Sequence, residues 1–244
     1  MVIKFFKRDT KYLPEQKIHE YTVLKVLGEG RFGICYLVQS NNKQYILKQL
    51  KTKMLKKIGS KVIYEQEILK NINHNCIPKF VKTLQFEKFF GYVLEYKEGK
   101  TFEEIICEDE YVFKREEIYD ICIQIIEILK YLHKSGIVHR DIRIPNTIYY
   151  KKKVNLVDFG LARWINNKRY TENVDFSYLG DFLLHLYYTS FQCKTFKGKP
   201  WYEELDLFSE EMSFLKRLLG IEKKYKNIEE VERDFLLLKS NYNK

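Results

Sequence analysis

The amino-acid sequence predicts a segregated α+β fold, in which a sheet forms first along the chain and helices follow. The first third contains β-rich runs separated by a glycine-rich turn and by polar turn residues, at Tyr21–Leu27, Ile34–Gln39 and Gln44–Leu50. Later, Glu116–His133 repeats apolar side chains at helical spacing. The change between these two patterns predicts a boundary near Glu95–Gly99.

The same periodicities predict the other elements. Apolar side chains recur on one face of about Val62–Ile72, which predicts a helix, and strand-like runs lie near Val81–Glu87 and Gly91–Tyr96. Beyond the boundary, a pair of short strands, Thr147–Tyr150 and Val154–Val157, interrupts the helical part. The apolar window Phe182–Tyr188 is too short to span a bilayer, so we expect a buried helix there, and Glu229–Leu238 reads as an amphipathic helix near the end of the chain.

Composition and charge exclude several classes of protein. With 45% hydrophobic and 31% charged residues the chain is of ordinary globular type, and it has no run of about 18 uncharged apolar residues, so we expect no membrane insertion. The net charge is +10, but only nine of the 43 basic residues are arginine. Since specific nucleic-acid recognition favours arginine, we expect no specific nucleic-acid partner. We interpret Lys51–Lys61 and Lys151–Lys153 as solvated faces, with contact to an acidic partner as the alternative.

The cysteines and the N-terminus indicate a cytoplasmic protein. The five cysteines are scattered without zinc-ligand or C-x-x-C spacing, so we expect reduced thiols: Cys35, Cys76, Cys107, Cys122 and Cys193. The first residues lack the long apolar segment of a secretory signal.

Three features of the first third suggest a phosphate site only when they are taken together. Gly28, Gly30 and Gly33 form a G-x-G-x-x-G pattern that fits either a dinucleotide-binding turn or a glycine-rich hairpin. A strand-like run follows the glycines, which favours the hairpin, and such a hairpin can lay its backbone over nucleotide phosphates. Lys48 ends an apolar strand and Glu65 lies on the next helix. Taken singly, each is most simply a surface charge.

The decisive motifs lie later in the chain. They are His139-Arg140-Asp141, an asparagine five residues after that aspartate (Asn146), and Asp158-Phe159-Gly160. With the glycine-rich loop, the lysine and the glutamate in the same order, the chain resembles the eukaryotic-type protein kinases, and in particular the short serine/threonine kinases of Bacillus-type bacteria. The resemblance covers Tyr21–Gly160 well and the remainder loosely.

The resemblance implies a two-lobed protein-kinase-like fold over residues 1–244. A small β-rich lobe would occupy about residues 1–96 and a mainly helical lobe about residues 97–244. It implies a serine/threonine kinase that transfers phosphate from ATP to a protein substrate with Mg²⁺, or Mn²⁺ in its place. We expect the protein to be a monomer. Two alternatives stay open: a small-molecule phosphotransferase on the same fold, and a non-catalytic nucleotide-binding pseudokinase.

The resemblance also assigns roles at the reacting phosphates. Lys48 would hold the α- and β-phosphates and pair with Glu65, while Asn146 and Asp158 would bind the metal. Asp141 would orient the attacking hydroxyl and accept its proton.

The neighbouring residues would have supporting roles. Arg143 stands where serine/threonine kinases usually carry a lysine beside the γ-phosphate, so the charge is kept and its geometry changes. We expect His139 and Phe159 to pack and not to catalyse.

The adenine site follows from the same resemblance. The backbone C=O of Glu95 and the N–H and C=O of Lys97 would meet the adenine edge, with Leu94 as the gatekeeper. The side chains expected to sandwich the ring are Leu27, Cys35, Ile46 and Ile148. The alternative is that these four belong to an ordinary apolar core.

The segment after Gly160 departs from the family pattern. The A-P-E motif is absent, and Asp175–Gly180 resembles the family's D-x-W-S-x-G after only 14 intervening residues, Leu161–Val174. The platform that docks a peptide is therefore largely missing, which leaves the substrate open. A loop this short predicts that the enzyme is active without phosphorylation of the segment. Glu172 or Asp175 would then neutralise the charge of Arg140, although the resemblance gives Asp175 the role of anchoring the backbone.

Overall fold

The computed structural model describes residues 9–30, 33–53, 55, 64–86, 89–166, 168–191 and 199–242. The chain forms two compact units: unit 1 consists of Met1–Asn73 and Pro78–Lys97, and unit 2 of His74–Ile77 and Glu98–Lys244. Some predicted features lie outside the described residues. They are residues 31–32 of the glycine loop, residues 62–63 of the first helix, most of the Lys51–Lys61 run, Glu87 and Cys193.

Unit 1 is an antiparallel sheet with one described helix. Its strands, in sheet order, are β1 (Lys17–Ile18), β2 (Tyr21–Glu29), β3 (Gly33–Ser40), β4 (Lys43–Leu50), β6 (Phe89–Glu95) and β5 (Phe80–Phe86). Helix α1 (Tyr64–Asn71) follows β4 in sequence. The strands predicted from the β-rich runs are therefore present, with ends shifted by one or two residues.

The side chains of this sheet alternate between an apolar face and the opposite face that carries Lys48. Leu47 of β4 pairs with Val93 of β6, and both belong to a buried apolar cluster with Tyr36 and Val38 of β3. Because neighbouring residues of a strand point to opposite faces, Lys48 projects from the other side. The apolar cluster thus sets the register that decides where the charged side chain of β4 lies.

Unit 2 is mainly helical. Its helices are α2 (Phe102–Cys107), α3 (Arg115–Lys134), α4 (Asn173–Tyr188), α5 (Trp201–Glu204), α6 (Ser209–Leu218) and α7 (Ile228–Tyr242). The apolar face of α3 is buried along its length, as the helical periodicity of Glu116–His133 predicted. In the described parts of the chain, none of the helices combines the length and the apolar character that crossing a membrane requires. The α+β prediction is confirmed.

Five short strands complete the described part of unit 2. Strand β9 (Thr147–Tyr150) pairs with β10 (Lys153–Leu156) and with β7 (Lys100–Thr101), and β8 (Ile137–Val138) pairs with β11 (Arg163–Trp164). The sequence predicted only the β9–β10 hairpin. The two-residue strands escaped prediction because a pattern of alternation needs at least four residues to be recognised.

We predict that Gly33→Ala destabilises the protein, because an added Cβ would lie 2.1 Å from the backbone oxygen of Gln49 on the adjacent strand. We expect a loss of about 1–3 kcal/mol in the free energy of unfolding, measured by urea denaturation. Gly28→Ala is the control, because a Cβ there would meet no described atom within 4 Å. Equal losses in the two variants would contradict the steric explanation.

Candidate active site

In unit 1, Lys48 and Glu65 form the ion pair that the resemblance implied. Lys48 Nζ donates to Glu65 Oε1 at 2.7 Å, and the glutamate is only 6% exposed. Glu65 belongs to the buried face of α1 together with Ile68 and Leu69, so the apolar packing of the helix carries the carboxylate inward. The amphipathic pattern of the helix therefore positions this charged group.

The glycine loop forms a hairpin between β2 and β3. The N–H of Gly30 donates to the carbonyl of Gly33 at 2.9 Å, and Lys51 Nζ donates to the carbonyl of Gly30 at 3.0 Å. A Cβ on Gly28 or Gly30 would meet no described atom within 4 Å, so packing among the described residues does not require glycine at these two positions. Close approach of a ligand to the backbone would require it.

The predicted adenine-contacting residues fall in both units. In unit 1, Ile46 is paired with Leu94, the expected gatekeeper, on the same side of the sheet as Lys48, and Cys35 is paired with Lys48. Leu27 is 46% exposed on β2, so it is not part of the apolar core. Ile148 lies half-buried on β9 of unit 2.

The segment at the end of β6 is held by an ion pair. Glu95 Oε2 accepts the backbone N–H of Lys79 at 3.1 Å and lies 3.0 Å from Lys97 Nζ. These contacts fix the side chains of Glu95 and Lys97, the two residues whose backbone groups were predicted to meet adenine.

In unit 2, the Asp141 carboxylate is buried and accepts hydrogen bonds on both oxygens. Arg143 donates from Nε to Oδ1 at 2.6 Å and from Nη2 to Oδ2 at 3.2 Å. Asn146 Nδ2 donates to Asp141 Oδ2 at 2.7 Å and to the Asp141 carbonyl at 3.1 Å. Hydrogen bonding to Asp141 raises the pKa of Arg143, so the guanidinium stays charged. The sequence did not predict the Arg143–Asp141 pair.

The Asp141 loop is anchored by Asp175 of α4. Asp175 Oδ2 accepts the N–H of His139 at 2.9 Å, and Oδ1 accepts the N–H of Arg140 at 2.7 Å. Asp175 is fully buried, and Arg140 adopts a positive φ of 68° at this point. This is the backbone-anchoring role that the resemblance gave to Asp175.

Asp158 and Phe159 form the turn of the second motif. Asp158 has a left-handed backbone conformation and accepts the N–H of Gly160 at 3.3 Å, and its side chain is exposed. The ring of Phe159 packs edge-on against His139, with centroids 4.6 Å apart. Burial lowers the pKa of His139, so its ring is neutral near pH 7, which favours the packing role expected for it.

The shortened segment is fixed by local contacts. Strand β11 pairs with β8, and Asn166 Oδ1 then accepts the backbone N–H groups of Arg169 and Tyr170 at 2.9 and 3.0 Å. The Arg140 guanidinium donates to the carbonyl of Leu161 at 3.0 Å and lies over the Tyr170 ring at 4.7 Å. The guanidinium is thus held by a carbonyl and an aromatic face, and Asp175 binds the backbone of Arg140.

Two residues near the site were not predicted from the sequence. His133, on the buried face of α3, lies with Nε2 2.9 Å from Asp175 Oδ2 and with Nδ1 3.4 Å from Glu172. A histidine on the apolar face of an amphipathic helix is the signal that could have identified it. Tyr92 on β6 donates its hydroxyl hydrogen to Glu65. No local pattern marks it, since it depends on the register of two strands distant in sequence.

Comparisons with known proteins cover most of the chain. Residues 21–216 match the family described as Protein kinase domain. Over 225 residues, 88% of each chain, the sequence is 37% identical to the "Probable serine/threonine-protein kinase YbdM" of Bacillus subtilis (strain 168). It is 28% identical to the serine/threonine-protein kinase nekl-2 of Caenorhabditis elegans over 61% of this chain and 46% of that one. It is 31% identical to the serine/threonine-protein kinase Nek1 of Mus musculus over 62% of this chain and 13% of that one.

We predict a pH-dependent contribution of His133 to stability. Burial opposes its protonation, but the carboxylates of Asp175 and Glu172 outweigh burial and raise the pKa of His133 from 6.5 to about 9. A raised folded-state pKa adds stability that is fully present below pH 6.5 and is lost as the pH rises through about 9. The full effect is on the order of 3 kcal/mol.

Urea denaturation of the wild type and of His133→Gln at pH 6.5 and at pH 9.5 checks this. We expect the stability advantage of the wild type to shrink at the higher pH. His185→Gln is the control, because His185 is an exposed histidine on α4. An advantage that does not change between the two pH values would show that His133 does not titrate in this range.

Proposed function

This chain belongs to the protein kinase family and is a serine/threonine protein kinase, and we propose that Lys48, Glu65, Asp141, Asn146 and Asp158 carry its phosphoryl transfer. Family membership confirms the resemblance drawn from the motifs, and the kinase fold with it. Kinases of this family use ATP and typically Mg²⁺. The observation that carries the residue assignment is the buried Asp141 carboxylate, held on both oxygens by Arg143 and Asn146.

The residues of unit 2 fit a Mg²⁺ ion. Because Asn146 turns its amide nitrogen toward Asp141, its amide oxygen is turned away from that residue. Asp158 supplies a carboxylate on an exposed turn. Mg²⁺ prefers oxygen ligands and is usually bound by one or two protein groups together with substrate phosphates, which matches this pair. The bound ion, Mg²⁺ or Mn²⁺, would neutralise charge on the phosphates.

The residues of unit 1 fit the nucleotide. The glycine loop offers backbone at Gly28 and Gly30, where an added Cβ would meet no described atom within 4 Å, and Lys48 supplies a fixed positive charge for the α- and β-phosphates. We assign the adenine edge to the backbone of Glu95 and Lys97. We assign its faces to the four side chains that the resemblance implied, Leu27, Cys35, Ile46 and Ile148.

The chain's own groups then divide the work of transfer. Asp141 accepts a hydrogen bond from the serine or threonine hydroxyl and orients its oxygen toward the γ-phosphorus. It takes the hydroxyl proton as the new P–O bond forms and the bond from the γ-phosphorus to the bridging oxygen breaks, which releases ADP. The guanidinium of Arg143 stabilises the negative charge on the γ-phosphoryl oxygens. Asn146 keeps the Asp141 carboxylate in one orientation, so the base is pre-positioned.

We further propose a cytoplasmic monomer that acts on a protein substrate. No disulfide joins the described cysteines Cys35, Cys76, Cys107 and Cys122, as in proteins of a reducing compartment. The short segment after Gly160 offers little surface for an extended peptide, so recognition of the substrate would depend on other surfaces of the chain.

Incubation with labelled ATP, Mg²⁺ and a generic protein substrate, followed by phosphoamino-acid analysis, tests the activity. Phosphoserine or phosphothreonine is the expected product.

We predict that Lys48→Ala and Asp158→Ala each lower the rate of transfer by at least about 10²-fold while the protein stays folded. The physical reason is loss of a charge on the reacting phosphates or of a metal ligand. Lys25→Ala on β2 and Asp181→Ala on α4 are the controls, because both residues are exposed. Single-turnover assays and thermal unfolding measure the two properties separately. Near-wild-type rates in both site variants would overturn the assignment.

We predict that Arg143→Lys keeps the rate within about tenfold of the wild type, which corresponds to about 1.4 kcal/mol. A lysine retains the positive charge and one of the two hydrogen bonds to Asp141. Arg143→Gln removes the charge, and we expect a clearly larger loss from it in the same steady-state assay. If the lysine variant lost activity as completely as the glutamine variant, the bidentate geometry itself would be required.

A further inference from the structure

A row of three side chains crosses the sheet of unit 1 on the side away from its apolar cluster. The strand register places Lys48 of β4 directly opposite Tyr92 of β6, and Tyr92 directly opposite Thr83 of β5. Directly paired residues of antiparallel strands project from the same face. The lysine of the ion pair therefore has a tyrosine and a threonine beside it in one line across the sheet.

This row binds the first turn of α1. Lys48 Nζ donates to Glu65 Oε1 at 2.7 Å, and the hydroxyl of Tyr92 donates to Oε2 of the same carboxylate. The hydroxyl of Thr83 donates to Gln66 Oε1 at 3.0 Å. Three adjacent strands thus each contribute one hydrogen bond to two consecutive helical residues.

The tyrosine bond is made in a buried environment. Tyr92 is 2% exposed, less than Glu65. A buried carboxylate is costly unless its oxygens are hydrogen-bonded, so the hydroxyl of Tyr92 favours the position in which Glu65 meets both donors. Helix α1 packs through its buried residues Ile68 and Leu69, so its placement depends on tertiary contacts.

We propose that Tyr92 is a positioning residue for phosphoryl transfer: its hydroxyl holds Glu65 where Glu65 fixes Lys48. This inference rests on the proposed role of Lys48 at the phosphates. Without the hydroxyl, Glu65 keeps its hydrogen bond to Lys48 but loses its hydrogen bond to Tyr92 of β6. The pair then samples more positions, and Lys48 contributes less in the transition state, where its placement matters most. The loss falls mainly on kcat.

The test compares Tyr92→Phe with Tyr36→Phe. Both substitutions remove one hydroxyl from a buried tyrosine of unit 1 and keep the ring. Tyr36 lies in the apolar cluster on the other side of the sheet, and its hydroxyl donates to Gln49 Oε1 at 2.9 Å. We expect Tyr92→Phe to lower kcat about tenfold with KM for ATP changed less than about threefold. Tyr36→Phe lowers the melting temperature and leaves kcat within about twofold.

A double-mutant cycle shows whether Tyr92 acts through Glu65. In a Glu65→Ala background, Tyr92→Phe should change the remaining rate by less than about twofold, because the acceptor is already gone. Hydrogen–deuterium exchange gives a readout that needs no activity. We expect residues 64–71 to exchange at least about fivefold faster in Tyr92→Phe than in the wild type, and at the wild-type rate in Tyr36→Phe.

Three results would overturn the inference. The first is a kcat of Tyr92→Phe within about twofold of an active wild type, and the second is unchanged exchange in residues 64–71. The third is an additive effect of Tyr92→Phe in the Glu65→Ala background, which would place its action elsewhere. Failure of the proposed function is a separate outcome: the wild type would then transfer no phosphate, and the exchange result would still decide whether Tyr92 holds Glu65.

Discussion

The arrangement of unit 2 depends on the buried carboxylate of Asp175. Its Oδ1 accepts the N–H of Arg140, and its Oδ2 accepts the N–H of His139 and contacts Nε2 of His133. A fully buried anion is tolerated only when such donors surround it, so the backbone of the Asp141 loop is held at one place. The positive φ of Arg140 is a strained conformation for a residue with a side chain, and these hydrogen bonds stabilise it.

The shortened segment is compatible with this anchoring. In a longer segment an added charge could select one conformation among many, whereas here β11 pairs with β8 immediately after Gly160 and the Asn166 turn follows. The Arg140 guanidinium already has a carbonyl acceptor at Leu161 and the ring of Tyr170. Contacts among residues of the chain itself therefore position the described part of this segment.

The sequence predicted features whose cause is local. Alternating apolar residues predicted strands β2 to β6, and helical periodicity predicted helices α1 and α3. The order of the motifs identified the family. The Lys48–Glu65 pair followed from the same resemblance. The pairing of Arg143 with Asp141 did not follow from the resemblance. A long charged side chain can reach several partners, and the three-dimensional structure determines which of them it binds.

Tyr92 and His133 show the other limit of prediction from the sequence. Each is an ordinary buried side chain in its own element, and each contacts the site only through residues distant in sequence: 27 positions separate Tyr92 from Glu65, and 42 separate His133 from Asp175. Strand register and helix packing bring these pairs together, and a short sequence motif predicts neither of them.

Burial alone does not distinguish a reactive carboxylate from a structural one. Glu211 is 1% exposed and accepts hydrogen bonds from the hydroxyls of Tyr119 and Tyr187 at 2.7 and 2.9 Å, yet it lies among helices far along the chain from every motif of the site. The difference lies in the donors. Buried tyrosine hydroxyls donate to Glu211, and backbone N–H groups donate to Asp175. These donors cannot move away without unfolding the surrounding structure. Asp141 is held by Arg143, whose side chain is 50% exposed and can be drawn to a phosphate while Asn146 keeps the carboxylate in place. The proposed base must be oriented and must also offer an oxygen to the substrate hydroxyl, and the contacts of Asp141 are compatible with both requirements.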